Sequence, residues 1–539
     1  MNFNKINRYM PLVLAACVVL GIIIGTFYAN HFSGNRLNII NSGSNRLNDL
    51  LHIIDDQYVD SVNMNDLVEK AIPEILAELD PHSVYISAKD AKSANDELQG
   101  SFEGVGIEFV IRNDTVHVQN VIQGGPAEEA GMMAGDKIVS VDDDPFVGKK
   151  VTNEEAMRRL KGPRGTTVKI GVLRNHQPKV KYFNVVRDKI ETKSISCAYM
   201  LDKNTGYIRI KNFGEKTYIE LINALAQLSQ QGFKNLVIDL RDNSGGYMGS
   251  AIQIANEFLP KNCMIVYTEG RKQARQEYIS DGHGTYQSIP LVVLINEGSA
   301  SASEILAGAI QDNDRGTVIG RRSFGKGLVQ QPIGLRDGSQ VRLTIARYYS
   351  PSGRCIQKPY TTGKDTDYEE DLLQRYTRGE YFTEDSIKHD GPEYHTRLGR
   401  TVYGGGGITP DLFIPEDTTG ITSYYKEAAM RGLILQFAFE WTDENREKLK
   451  NFSTTNDLLA YLKRQNLLEK FAAYAEKNGL QRRNLMLQKS HLLFEKYIYS
   501  RIIYNMLDEG SWMEYLNSDD PVIRKTLDVF KNNAAFPKK

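Results

Sequence analysis

The sequence predicts an α/β core that carries an inserted, mostly β domain, with a transmembrane helix before it and an all-α region after it. Three observations support this fold class. Apolar strand-like runs alternate with helical segments over 206–354, short alternating segments separated by glycines fill 100–187, and residues 9–30 carry no charge. Parallel strands are buried between helices, so the first pattern is typical of an α/β sheet. With 539 residues the chain is long enough for several domains.

The composition is that of a globular protein without a dominant charge. Lys and Arg number 66 against 67 Asp and Glu, and 41% of the residues are hydrophobic. This balance lacks the broad basic field of a nucleic-acid binder, so we expect no nucleic-acid partner. Cys197, Cys263 and Cys355 are widely spaced. They indicate neither a disulfide framework nor a metal site, and we expect no metal.

Residues 9–30 are predicted to form a transmembrane anchor or a signal. At about 1.5 Å per helical residue, this run crosses a hydrocarbon core of about 30 Å. Lys5 and Arg8 precede it, which keeps the N-terminus in the cytoplasm. The run is longer than the apolar region of a cleavable signal peptide, so an uncleaved anchor is favoured over that alternative. The predicted location is a bacterial inner membrane, crossed once, with the remaining chain in the periplasm.

The next elements are a polar stalk over 31–48 and a helical arm over 49–100. Apolar residues such as Leu67, Ile72 and Leu76 recur at helical spacing in the arm. Pro73 is expected to open a new helix or to kink the old one.

The mostly β domain is assigned to 101–187, the α/β core to 191–415 and a helical domain to 416–539. In the core, strands are predicted over 207–210, 236–240, 291–295 and 317–319, and helices over 218–228, 247–258 and 301–310. A charged, tyrosine-rich stretch at about 357–400 is expected to be a surface insertion. Apolar residues at helical spacing indicate the C-terminal helices.

Ser301 lies between a buried strand and an apolar helix. The carboxyl ends of strands are where active sites collect in open α/β sheets. However, Ser301 and Glu304 also fit a capping box, in which the serine only caps the helix. Catalysis would need a base for the hydroxyl, and nothing about the nine histidines marks one. Both interpretations stay open on this motif alone.

Lys326 offers another route to a base. If the chain is extended after Gly325, the side chains of Lys326 and Gln330 point to the same face, so Gln330 can hydrogen-bond the amine. A lysine acts as a base only when neutral, and apolar burial can supply the necessary pKa shift. The alternative is a surface lysine in a glycine turn.

The same segment has the spacing of a phosphate-binding loop, from Gly320 to Lys326. Gly327 replaces the Ser or Thr that would hold magnesium, and Pro332 argues against a following helix. We therefore reject a nucleotide site.

Two glycine-rich turns complete the candidates. Gly245 and Gly246 follow a buried strand and can expose N–H groups to an oxyanion, although a plain strand-to-helix turn has the same pattern. In the β domain, Gly104-Val105-Gly106-Ile107 can present amides to a peptide carboxylate, although hairpin glycines are the simpler interpretation.

Together these segments closely resemble the carboxyl-terminal processing peptidases, the tail-specific serine peptidases with a Ser/Lys active site. The resemblance runs over about 50–411. The motifs occur in family order: Asp80-Pro81-His82-Ser83-x-Tyr85, Asp239-Leu240-Arg241-x-Asn243-x-Gly245-Gly246, Gly298-Ser299-Ala300-Ser301-Ala302-Ser303-Glu304, Phe324-Gly325-Lys326-Gly327-x-x-Gln330, Arg347-Tyr348-Tyr349-x-Pro351-x-Gly353-Arg354 and Gly407-Ile408-x-Pro410-Asp411. The resemblance implies a crotonase-like, ClpP-like ββα core, and it makes the inserted domain a PDZ domain.

By this resemblance Ser301 is the nucleophile, Lys326 the general base and Gln330 the residue that orients the base. The oxyanion hole would consist of the Ala302 N–H and an N–H from Gly245 or Gly246. The PDZ domain would capture substrate C-termini and gate the active site. The implied activity is that of a serine endopeptidase that needs no cofactor and cuts exported proteins near their C-termini.

Two questions stay open. A non-catalytic PDZ scaffold is the alternative function, although both Ser301 and Lys326 are present. The C-terminal helices depart from the family pattern, and self-association and adaptor binding are both options for them.

Overall fold

The computed structural model describes residues 15, 18–21 and 44–538, except 113, 123, 149, 175–178, 364–367, 369 and 390. Most of the predicted anchor at 9–30, and most of the stalk, lie outside the described residues. In the part of the chain that the structure describes, no helix combines the length and the apolar character needed to cross a membrane. The anchor stays a prediction.

The chain forms two compact units, 1–76 and 77–539. The first contains helix α1 (Ser44–Gln57) and most of helix α2 (Met64–Ala77). Pro73 lies inside α2, so it does not open a new helix.

The second unit begins with strand β1 (Val84–Ile86) and helix α3 (Ala88–Gln99), and the β domain follows. Its elements are β2 (Ser101–Gly104), β3 (Ile107–Arg112), β4 (Thr115–Val121), α4 (Pro126–Glu129), β5 (Lys137–Val141), β6 (Asp144–Pro145), α5 (Asn153–Leu160), β7 (Thr167–Leu173), β8 (Lys181–Val186) and β9 (Asp188–Glu191). The main sheet has the order β3-β4-β5-β7-β8, with β6 on β5, and β2 pairs with β9. Strand β3 therefore lies at an edge of the sheet.

The α/β core follows. Its elements are β10 (Ile195–Met200), β11 (Thr205–Ile210), α6 (Thr217–Gln230), β12 (Asn235–Asp239), α7 (Met248–Phe258), β13 (Met264–Glu269), β14 (Gln276–Ile279), β15 (Leu291–Ile295), α8 (Ala302–Asp312), β16 (Thr317–Gly320), β17 (Leu328–Gly334), β18 (Gln340–Tyr349), α9 (Asp371–Thr377), β19 (Glu393–His395), β20 (Thr401–Tyr403) and β21 (Leu412–Phe413). The central sheet has the order β10-β11-β12-β15-β16-β21, and only β10 runs antiparallel to its neighbour. A second sheet joins β1, β18, β13 and β14, with β17 on β18.

Eight helices are described in the C-terminal region, which confirms the predicted helical character. They are α10 (Ser423–Met430), α11 (Leu433–Leu449), α12 (Thr455–Leu462), α13 (Leu467–Lys477), α14 (Asn484–Lys489), α15 (His491–Met506), α16 (Glu509–Asn517) and α17 (Pro521–Lys531).

The two faces of the central sheet are covered by helices from different parts of the chain. All five residues of β15 are buried, as expected for a strand with two apolar faces. On one face Leu291 and Val293 pack with residues of α6, α7 and α8. On the other, Val292 and Leu294 pack with residues of α16 and α17, including Phe530. The helices α16 and α17 thus form one layer of the α/β core.

The prediction that 357–400 is a surface insertion is wrong for its central part. Tyr368, Arg375, Glu380 and Tyr381 are all buried. Arg375 and Glu380 can be buried because they form an ion pair of 2.8 Å.

The C-terminal helices also contact the outer face of β3 in the β domain. The Arg112 guanidinium lies 4.6 Å from the centre of the Phe439 ring in α11. The Tyr504 hydroxyl in α15 donates to the Glu108 carboxylate over 2.8 Å. These contacts connect β3 with α11 and α15.

Candidate active site

Ser301 lies in the turn between β15 and α8, with its backbone in an unusual conformation. Its φ is +55° and its ψ is −113°. Such conformations cost about 1–3 kcal/mol in a residue other than glycine, and they cluster at functional sites. Ser301 lines a cleft of about 570 Å³. Its N–H donates to the Glu304 carboxylate over 2.9 Å, so the predicted capping interaction with Glu304 is present in that direction.

Gly245 approaches the Ser301 turn so closely that no side chain fits. A Cβ atom added there would lie 2.7 Å from Ala300 O and 2.8 Å from Ser301 Cβ. The Gly245 N–H donates to Asn243 Oδ1 over 2.8 Å. Of the predicted pair, Gly246 is therefore the better oxyanion donor. Ala302 begins α8, where N–H groups have no partner within the helix.

Lys326 lies between β16 and β17 and lines the same cleft as Ser301. Its Nζ donates to Gln330 Oε1 over 3.0 Å, which confirms the hydrogen bond predicted from their alternation. Burial lowers the pKa of Lys326, whereas the carboxylates of Asp80 and Glu304 oppose that shift. The net shift is downward, so the neutral amine is more accessible here than in an exposed lysine.

Glu304 connects the backbone at Ser301 with the backbone at Lys326. Besides the Ser301 N–H, its carboxylate accepts the N–H of Gly325 at 2.8 Å, the N–H of Lys326 at 2.9 Å and the hydroxyl of Ser323. Burial raises the pKa of Glu304 to about 7, and these hydrogen bonds oppose the shift.

The segment Asp80–Ser83 reaches the amine of Lys326 through Gln330. Gln330 Nε2 donates to the carbonyl of His82. Asp80 Oδ1 accepts the N–H groups of His82 and Ser83 over 2.9 and 3.0 Å, which fixes this turn. Burial and the nearby Lys326 lower the pKa of His82 to about 4, so its ring is neutral near pH 7.

Tyr348, in β18, contacts the backbone of both Ser301 and Lys326. Its buried hydroxyl donates to Lys326 O over 2.5 Å and lies 3.1 Å from Ser301 O. The sequence indicates no role for Tyr348 or His82, although both belong to motifs of the resemblance. Their contacts join segments far apart in sequence, and local spacing contains no signal for them.

The cleft wall is mixed in character. Phe213, Met248, Ile305 and Leu328 supply apolar surface, and Arg342 supplies a cation. An apolar side chain bound in this cleft, which Ser301 and Lys326 also line, would be desolvated.

The segment Gly104–Ile107 lies elsewhere, at the start of β3. Gly106 has a φ of +78°, and its carbonyl accepts the Ile122 N–H over 3.0 Å. Strand β3 pairs with β4 on one side. Its other side is the kind of sheet edge to which an extended peptide adds as a strand.

Three family models match the chain: Peptidase family S41 over 204–369, a PDZ domain over 104–184 and a family of unknown function over 424–508. A carboxy-terminal-processing protease of Bartonella bacilliformis is 39% identical over 336 residues, which cover 61% of this chain and 76% of the relative. The carboxy-terminal processing protease CtpB of Bacillus subtilis is 34% identical over 323 residues, covering 59% and 67%. A solved photosystem II D1 C-terminal processing protease is 29% identical, with a TM-score of 0.34 and coverage of 58% and 90%.

Proposed function

Since the chain belongs to the carboxy-terminal-processing proteases of peptidase family S41, and is thus a C-terminal processing serine peptidase, we propose that Ser301 is its nucleophile and Lys326 its general base. One observation carries this assignment. Lys326 lines the cleft beside Ser301, is bonded to Gln330, and has a pKa lowered by burial. A buried lysine of this kind can be neutral when it acts.

The proposed reaction proceeds through an acyl-enzyme. Neutral Lys326 takes the hydroxyl proton of Ser301 as Ser301 Oγ attacks the scissile carbonyl carbon. The N–H groups of Ala302 and Gly246 stabilise the oxyanion. The C–N bond then breaks, and protonated Lys326 gives its proton to the leaving amine.

Water completes the turnover. Lys326 takes a proton from a water molecule whose oxygen attacks the ester. As the tetrahedral intermediate collapses, the proton passes to Ser301 Oγ and the shortened acid leaves. Because only neutral Lys326 begins the cycle, kcat/KM should rise with pH through a pKa below the usual 10.5.

We assign substrate selection to the PDZ domain and to the apolar cleft. A substrate C-terminus would add along β3 with its carboxylate at the amides of Gly104-Val105-Gly106-Ile107. The scissile bond would lie beside apolar residues in the cleft. The proposed substrates are therefore exported proteins with free, apolar C-termini.

Cleavage by the part that begins at residue 44 tests this assignment. Peptides with free and with amidated apolar C-termini are compared for the wild type, Ser301→Ala and Lys326→Ala. Ser229→Ala and Lys272→Ala, at exposed positions of the core, serve as matched controls. We expect both site variants to lose turnover and both controls to keep it. Unchanged cleavage by either site variant would contradict the assignment.

A non-catalytic PDZ scaffold, the alternative function, is not favoured, because the matching relatives named above are proteases. Tight binding of a C-terminal peptide by the wild type, without turnover, would restore it. Self-association or adaptor binding by the C-terminal helices stays a prediction.

We infer that residues 9–30 hold the enzyme in the inner membrane with its catalytic part in the periplasm. The uncharged run and the preceding Lys5 and Arg8 support this location. Alkaline extraction of membranes from cells producing the full chain tests it. We expect the chain to stay in the membrane pellet. In intact spheroplasts, we expect added protease to digest the part of the chain that follows residue 30. Release into the supernatant, or a mature N-terminus near residue 30, would contradict the anchor.

A further inference from the structure

Described residues of the segment 357–400 contact the polypeptide that leads into Lys326. Within it, Arg375 in α9 is 1% exposed, and few arginines are buried so completely. The Arg375 Nη1 donates to Ser323 O over 2.9 Å, and its Nη2 donates to Arg322 O over 2.7 Å. One guanidinium therefore holds two successive carbonyls, three and four residues before Lys326.

Glu380 pairs with the buried Arg375 and offsets the cost of burying its charge. Its carboxylate accepts Arg375 Nε over 2.8 Å and both Nε and Nη2 of Arg322 over 2.7 and 2.6 Å. A buried ion pair contributes little net stability, because desolvation offsets much of the attraction. Its evident effect is geometric, since the planar fork of an arginine fixes the direction of each hydrogen bond.

A second contact from the same segment reaches the amine end of Lys326. The Tyr368 hydroxyl is 2.8 Å from His82 Nε2. The His82 carbonyl accepts a hydrogen bond from Gln330, and Gln330 accepts one from Lys326 Nζ. The Lys358 amine lies 4.1 and 4.0 Å from the ring centres of Phe324 and Tyr368. It therefore connects the 322–326 backbone with the contact between Tyr368 and His82.

We propose that the described residues of 357–400 hold the base of the active site in place, with Arg375 and Tyr368 as positioning residues that act through the 322–326 backbone and through His82. This inference rests on the proposed role of Lys326. It assigns a role in catalysis to a segment whose sequence indicated only a charged surface.

The charged and titratable groups that face Lys326 come from three other elements. They are Asp80 and His82 from the arm, Glu304 from α8, and Arg342 and Tyr348 from β18. Arg375 is not among them, so it affects the amine by holding the backbone rather than by its charge. If the 322–326 backbone loosens, water reaches the amine, and the pKa of Lys326 rises towards its ordinary value.

The charge-conserving variant Arg375→Lys is the decisive test, measured as kcat/KM against pH with the part that begins at residue 44. A lysine keeps the cation but cannot hold both carbonyls and Glu380 in one plane. We expect kcat/KM to fall about 10-fold near neutral pH. It should recover partly at alkaline pH, because the ascending limb of the profile, where kcat/KM rises with pH, moves to higher pH. Tyr368→Phe, which keeps the ring, should shift the limb in the same direction by less.

Arg378→Ala is the matched control, because Arg378 lies 3.7 Å from the same Glu380 carboxylate but is half-exposed. It should leave the pH profile unchanged. A folded Arg375→Lys enzyme with an unmoved limb would overturn the proposal, as would an equal shift in Arg378→Ala. If Arg375→Lys does not fold, an unmoved limb in Tyr368→Phe overturns it. Full activity in Lys326→Ala would instead refute the proposed function.

Discussion

Ser301 is held mainly by the strand and helix that flank it and by one close turn at Gly245, whereas Lys326 is held by segments from several distant parts of the chain. The turn at Ser301 is set by β15, by α8 and by the close approach of Gly245. Lys326 instead depends on the arm through Gln330 and His82, and on α8 through Glu304. The proposed nucleophile, in a strand-to-helix turn, needs one correct local geometry, whereas the proposed base, a neutral lysine, needs a dry pocket built from several sides.

This difference locates the weak points of the site. Damage near Ser301 should act on the geometry of attack and leave the pH dependence alone. Damage around Lys326 should also move the pH at which the enzyme becomes active. The pH profile therefore separates the two kinds of support.

The largest effect is expected for Glu304→Gln, which breaks both supports at once. Both oxygens of the Glu304 carboxylate accept backbone N–H groups. In glutamine one oxygen becomes an NH2 group, which can only donate and would therefore face other donors. We expect kcat/KM to fall roughly 100-fold, about 2.7 kcal/mol, in peptide cleavage assays. Glu277→Gln, at an exposed residue of β14, is the control. A loss below about threefold would show that Glu304 does not connect the two residues.

Glu304 also has a pH signature in stability. Because its pKa is raised on folding, to about 7, its contribution to stability is complete below the unfolded value of 4.5 and is lost as the pH rises through about 7. Urea unfolding at several pH values should show this decline in the wild type and not in Glu304→Gln.

A smaller effect is expected for Gly245→Ala, which breaks only the support of the nucleophile. The added Cβ would contact Ala300 O and Ser301 Cβ below 3 Å, at a φ of +104°. We expect kcat/KM to fall about 10- to 100-fold with an unchanged ascending limb. Gly232→Ala is matched, because its φ is +78° but its surroundings are open. A shifted limb in Gly245→Ala would contradict the separation of the two supports.

The smallest effect is expected for Asp80→Asn, which alters the electrostatics of the base while keeping Oδ1 as an acceptor for His82. The Asp80 carboxylate raises the pKa of Lys326, so its removal should move the ascending limb to lower pH. This direction is opposite to that expected for Arg375→Lys. Asp90→Asn, at an exposed position of α3, should leave the limb in place. An upward shift in Asp80→Asn would show that geometry outweighs charge here.

Local patterns predict the strands of the core and the bond from Lys326 to Gln330. The alternation of residues 326, 328 and 330 needs an extended backbone, and β17 supplies its second half from Leu328 onward. The same patterns fail for 357–400. Charge predicts exposure, but Arg375 and Glu380 are buried because each finds its partners in the folded chain. Helical spacing after 416 likewise predicts helices without indicating what they cover.

The cover provided by α16 and α17 has a consequence for the order of folding. Until residues 509–531 have been synthesised, one face of the central sheet exposes Val292 and Leu294 to water. The sheet that carries the Ser301 turn reaches its final stability only with this late segment in place. The layer that completes this sheet is therefore made long after the Ser301 turn itself, so the turn and the helices that cover its sheet cannot fold together until residues 509–531 have been added.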